Sequence, residues 1–154
     1  MKRSVKKIVR NLPGFQSYCE CVKPCSGVEI DHVVPKSLLK KKSKKFNQAN
    51  NDMHNLFRCC HKINNPKGSK LIGSTYTTDS PLHDSYLARS ALYMGDRYDL
   101  FTGHIYLPYI NRLKYIALSC NPFDFEYDRN IEIESIQGCD NKFVTDYPQS
   151  IIKY

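Results

Sequence analysis

The chain has 154 residues, 41% of them hydrophobic and 25% charged, which suits one folded domain and excludes a disordered or low-complexity chain. Its formal charge of +8, from 23 Lys and Arg against 15 Asp and Glu, points to an acidic partner. No apolar run is long enough to span a bilayer, and Arg10, Asn11 and Pro13 follow Ile8-Val9 too closely for a signal peptide, so the expectation is a monomer inside the cell: cytoplasmic, nuclear or in a virion.

In chain order, residues 1 to 27 read as an irregular, basic, Cys-containing segment broken by Pro13-Gly14, Pro24 and Gly27, and residues 28 to 154 as a single domain. Val28 to Val34 alternates apolar and polar residues before Pro35, the pattern of a short strand. Lys36 to Asp52 is too polar for core and reads as a long loop that meets the substrate. Asn55 to Cys60 is a second strand, and His61 to Asn65 a helical turn or two ended by Pro66 and Gly68. Ser80-Pro81 starts a helix whose apolar face is Leu87, Ala88, Ala91, Leu92 and Tyr98. Leu107, Ile110, Leu113 and Ala117 repeat the spacing up to about Ser119. Asn121-Pro122 with Asp124 and Glu126 opens a third helix that Gly138 ends, although the alternation over Ile131 to Ile136 leaves an edge strand as the alternative. The fold class is α+β.

Basic residues cluster at Lys2, Arg3, Lys6, Lys7 and Arg10, and again at Lys36, Lys40, Lys41, Lys42, Lys44 and Lys45. Such clusters suit a polyphosphate, because each neutralised phosphate releases condensed counterions; a solvated surface is the plainer reading. The cysteines, Cys19, Cys21, Cys25, Cys59, Cys60, Cys120 and Cys139, are odd in number and cannot all pair. Thiols are the leading expectation in a reducing compartment, and structural zinc at Cys19, Cys21, Cys25, Cys59 and Cys60 the lesser one, because C-x-C-x3-C is not a common finger spacing.

The chemistry concentrates in EIDHVVPKS from Glu29 and NDMHNLFRCCHKINNPKGSK from Asn51. Adjacent residues on a strand point to opposite faces, so Asp31 can take a hard cation while His32 activates water. Asn64 follows the second strand at a distance that brings a helix-borne amide oxygen back toward Asp31. One Mg²⁺ suits so few protein ligands, with Mn²⁺ or Ca²⁺ able to substitute in binding. Asn55 is a candidate to hold the second ring nitrogen of His32 and fix its tautomer. Arg58, Lys36 and Lys67 are candidates for contact with the nucleic acid. His54 reads as structural, and Arg89, Arg129 and Gln137 as braces from the helices.

Asp31-His32-Val33-Val34-Pro35 with the later Asn-Leu and Lys-Gly resembles the HNH endonucleases. The chain resembles the endonuclease I family of non-specific nucleases more broadly, through Asp52 to Leu56, Ile63-Asn64, Leu87 to Met94 with Arg97-Tyr98, Arg129-Asn130 and Ile136 to Pro148. The resemblance implies a ββα-metal finger packed against several α-helices, Asp31 and Asn64 as metal ligands and His32 as general base. It departs from the family at Asp31, where Glu is usual, and in lacking a secure match to the transition-state arginine, for which Arg58, Lys36 and Lys67 are the candidates. The expected function is hydrolysis of DNA, with RNA as a second substrate, and little sequence specificity, since no base-reading module accompanies the nuclease motif. The alternatives are a sequence-specific HNH nicking enzyme and a catalytically dead, zinc-stabilised nucleic-acid binder.

Overall fold

The computed structural model describes residues 2–14, 28–78 and 80–154. Two strands, β1 (Val28–His32) and β2 (Leu56–Cys60), form an antiparallel sheet in which Asp31 faces Phe57 and His32 faces Leu56. Side chains alternate across a strand, so Glu29 and Asp31 share one face with Phe57 and Cys59, and Ile30 and His32 share the other with Leu56 and Arg58. The α4 helix (His61–Lys67) follows β2 directly and packs on both strands.

The stretch between the strands is more ordered than its polarity suggests. It holds α2 (Lys36–Lys42), α3 (Phe46–Ala49) and a 3-10 turn (Met53–Asn55), where a long loop was expected. Leu39 and Ala49 are fully buried, and Leu38 and Phe46 pack on the same core, so a few apolar residues fold an otherwise solvated segment. β1 stops at His32, with Val33 and Val34 turned into the core. α1 (Arg3–Val9) is also helical where irregular chain was expected: Val5, Ile8 and Val9 cover Ile30, Leu56 and Met53 on the His32 face. The remainder of that expected irregular segment, from Phe15 to Gly27, lies outside the described residues.

α5 (Pro81–Tyr98) is the central helix, buried continuously from His83 to Gly95. It packs against α6 (Leu107–Leu118), and a Cβ added at Gly95 would come within 2.5 Å of the Phe101 ring, so this position requires glycine. α7 (Asp124–Gln137) is helix throughout and ends at Gly138 in the left-handed conformation, which rules out the edge-strand alternative. Two short helices, α8 (Lys142–Thr145) and α9 (Gln149–Lys153), place Phe143 and Ile151 in the core. Arg89 of α5 is wholly buried, and its guanidinium donates to Glu126, Ser85 and the carbonyls of Ala117 and Cys120, tying α5, α6 and α7 together. No helix among the described residues is long and apolar enough to cross a membrane.

Candidate active site

The site forms at the end of β1. His32 is half-buried, and its Nε2 lies 3.1 Å from the backbone carbonyl of Asn50. A carbonyl only accepts, so Nε2 carries the proton and the neutral ring has its lone pair on Nδ1. Burial holds the imidazole below its ordinary range, against the opposing effects of the Asn50 bond and of Asp31. At neutral pH His32 is a base and not a cation.

Asn55 does not bond the ring of His32, as the sequence suggested, because Asn50 already takes the available ring N–H. Its side chain instead accepts from Val34 N at 2.7 Å and donates to Val34 O at 3.1 Å, while its own carbonyl accepts from Val33 N. It therefore fixes the backbone immediately after His32.

On the opposite face, Asp31 is buried and its Oδ2 is 2.8 Å from Lys67 Nζ. The same ammonium donates to the carbonyl of His32 at 2.8 Å. Lys67 is 0% exposed, which removes it from the nucleic-acid surface and puts its charge at the centre of the site. Asn64, on the same helix, donates through Nδ2 to Glu29 Oε2 at 2.7 Å. Glu29 also receives His61 Nδ1 at 2.9 Å, and these two bonds hold its carboxyl below the usual range. Asp31 and Asn64 thus lie on one side of the sheet, each with a partner from the chain itself.

A hard cation fits this donor chemistry. Asp31, Asn64 and Glu29 offer oxygen atoms of the kind Mg²⁺ takes, and the Lys67 ammonium against Asp31 Oδ2 and the His32 carbonyl marks a position that holds positive charge. No cluster of three or more His, Cys, Asp or Glu that could hold a metal ion occurs among the described residues. Cys60 is disulfide-bonded, and a disulfide sulfur is no thiolate ligand. Cys59, Cys120 and Cys139 are thiols. Of the proposed zinc ligands, Cys19, Cys21 and Cys25 also lie outside the described residues.

The remaining basic candidates separate by exposure. Lys36, Lys40, Lys41, Lys42, Lys44 and Lys45 are all exposed on α2 and the turn after it. Lys42 sits over the Tyr106 ring, and with Lys44, Lys45, Arg97 and Tyr98 it lines a cleft of about 320 Å³. Arg97 and Tyr98 also line a larger cleft of about 790 Å³ with Asn50, Asn51 and Asp52, and His32 lines neither cleft. Arg58 lies on the His32 face of the sheet, and its guanidinium donates to the carbonyls of Arg10 and Gly14.

Two of the three expected braces act on this site. Arg129 donates to the carbonyls of Met53 and Leu56, and Gln137 bonds Met53 N and Asp52 Oδ1. Arg89 joins the helices and does not bond the strands. His54 is structural as expected: its Nε2 bonds the carbonyl of Cys139 and its own carbonyl accepts from Ser90. Asp52 opens one of the stretches that resemble the family, but the sequence assigned it no role. Its buried carboxylate collects His54 N, Gln137, Tyr93 and Tyr98. Compared with known proteins, the chain matches no family model and no curated relative.

Proposed function

We propose that the chain is a divalent-cation-dependent endonuclease that hydrolyses the phosphodiesters of DNA, with RNA as a second substrate and little sequence preference. In this reading β1, β2 and α4 are a ββα-metal finger. The observation that carries it is the pairing at the end of β1: a neutral imidazole fixed through Nε2, beside a carboxylate on the opposite face that already holds a positive charge.

His32 takes a proton from the attacking water at Nδ1, a role worth typically about 10²–10⁴-fold. The Asn50 carbonyl keeps the ring in the tautomer that leaves Nδ1 basic, and Asn55 keeps the following backbone in place. Asp31 and Asn64 would hold the cation, most suitably Mg²⁺, which supplies charge stabilisation at the phosphate and the leaving oxygen. The exposed lysines of α2 neutralise flanking phosphates without reading bases, which supports low specificity.

A nucleic-acid binder without hydrolytic activity is the second reading, favoured because Asp31 and Asn64 each already bond a partner within the chain. Incubating supercoiled plasmid with the wild type and with His32→Ala, in Mg²⁺ or in EDTA, separates the two. The nuclease reading expects a smear only for the wild type in Mg²⁺. Cleavage undiminished in EDTA ends the metal requirement, and DNA retention without cleavage in Mg²⁺ or Mn²⁺ favours the binder.

A further inference from the structure

A lysine with no exposed surface is uncommon, because an ammonium leaves water only when its charge is paired and its protons are bonded. Lys67 meets that condition with two oxygens of different origin, Asp31 Oδ2 and the carbonyl of His32, each at 2.8 Å. α4 makes this reach possible. The helix continues through Pro66 to Lys67 and stops only at Gly68, so the side chain leaves from the last helical residue and lies under the end of β1. A neutral side chain of similar length would fill the same volume without the desolvation cost of a charge. The charge itself is therefore what the position selects.

We propose that Lys67 is the resident counter-ion of Asp31 and competes with a divalent cation for it. The ammonium and the metal are alternative occupants of one position bounded by the Asp31 carboxylate and the His32 carbonyl. Two positive ions at one carboxylate repel by far more than thermal energy even at the screened dielectric of a protein, so metal entry requires Lys67 to withdraw. The four-carbon stem of lysine permits that movement. Asn64 lies one helical turn before Lys67 and is bonded to Glu29 in the same arrangement, so His61, Asn64 and Lys67 of α4 are all engaged by β1 carboxylates when Lys67 holds Asp31. The inference rests on the proposed function only in taking Asp31 to be a metal ligand.

The test is calorimetric titration of the full chain with Mn²⁺ alone, on the wild type, Lys67→Met, Lys67→Arg and Asp31→Asn, with thermal unfolding of each in EDTA and in Mn²⁺. Lys67→Met removes the competitor and leaves a buried carboxylate without its ammonium. It is expected to bind Mn²⁺ at least about tenfold more tightly than the wild type. Its unfolding temperature should fall in EDTA and rise on Mn²⁺ by more than the wild type's, because a ligand of the native state stabilises it in proportion to affinity. Lys67→Arg keeps the charge and should bind as the wild type does, and Asp31→Asn should bind least. Equal or weaker binding by Lys67→Met overturns the proposal. If Lys67→Met does not fold in EDTA, recovery of native circular dichroism on adding Mn²⁺ supports competition, and failure to recover overturns it. Plasmid cleavage decides the nuclease reading independently: tighter binding without cleavage keeps this inference and loses the nuclease, and cleavage with unchanged affinity does the reverse.

Discussion

His32 and Asn50 are joined by a single hydrogen bond, from the imidazole Nε2 to a main-chain carbonyl 3.1 Å away. Because the acceptor is backbone, its position depends on what anchors the segment from Asn50 to Asn55, and that anchor is Asp52. Oδ1 accepts from His54 N and Gln137, and Oδ2 from the hydroxyls of Tyr93 and Tyr98. A line of contacts therefore runs from α5 and the end of α7 to the ring of the proposed base.

Asp52→Ala is expected to destabilise the fold by about 3 kcal/mol, because it removes the buried acceptor of two tyrosine hydroxyls and two amide N–H groups. At a temperature where the variant stays folded, cleavage should fall by about 10–100-fold through loss of His32 orientation. Urea unfolding and plasmid cleavage measure the two effects. Full activity in a destabilised variant would mean that Asp52 supports the fold without aiming the base.

His32→Ala should fold and bind Mn²⁺ as the wild type does, yet lose about 10²–10⁴ in rate. Added imidazole should restore part of the activity by entering the space beside the attacking water. Single-turnover cleavage with calorimetry on the same preparation is the check. Loss of metal binding in His32→Ala would make the imidazole a ligand and remove it as the base.

The elements legible in the sequence were those with strong periodicity or caps: α5, α6 and α7 follow their spacing, Ser80-Pro81 and Gly138. Both strands were legible, the first from the alternation that stops at Pro35 and the second as the short run from Asn55 to Cys60 ahead of the Pro66 and Gly68 break. α2 and α3 were not, since their lysines and asparagines hide the few apolar residues that bury them. At the site, the sequence pointed to Asp31, His32 and Asn64 as chemically distinct neighbours, but not to who bonds whom. The partner of the His32 ring is a carbonyl, and every residue has one, so composition could not single out Asn50. Lys67 was misplaced for a related reason: a lysine reads as surface unless a buried carboxylate awaits it.

Nucleic-acid binding should weaken steeply with salt, with the slope of log K against log salt near −0.9 for each phosphate contact on B-DNA. Replacing Lys40, Lys41, Lys44 and Lys45 together by Ala should flatten the slope and leave Mn²⁺ affinity unchanged, since all four are exposed and none bonds Asp31 or Asn64. Lys42→Ala alone should change it less, because that ammonium already lies 5.2 Å from the centre of the Tyr106 ring. Fluorescence anisotropy across a salt series reads both, and a slope untouched by the fourfold variant would place the DNA elsewhere on the surface.

Stability should fall in mild acid, and His54 supplies part of the reason. Burial holds its pKa in the folded chain below the ordinary value of 6.5, an effect that outweighs the nearby Asp52 and the Cys139 carbonyl. Above pH 6.5 the ring is neutral in both folded and unfolded chains and contributes no pH dependence. As pH drops below that value the unfolded chain binds a proton that the native chain refuses, so stability is lost until the folded pKa is reached. One such residue contributes a slope of at most about 1.4 kcal/mol per pH unit. The lowered carboxyl of Glu29 adds its own loss only in more acid solution, below its ordinary value of 4.5, so the two windows separate. His54→Gln keeps a donor for the Cys139 carbonyl and cannot titrate. Its unfolding free energy, followed by urea titration from pH 7.5 to 5, should decline less steeply than the wild type's. Parallel slopes for the two proteins would show that His54 is protonated equally in the folded and unfolded chains, and would leave His32 as the histidine responsible for the acid loss.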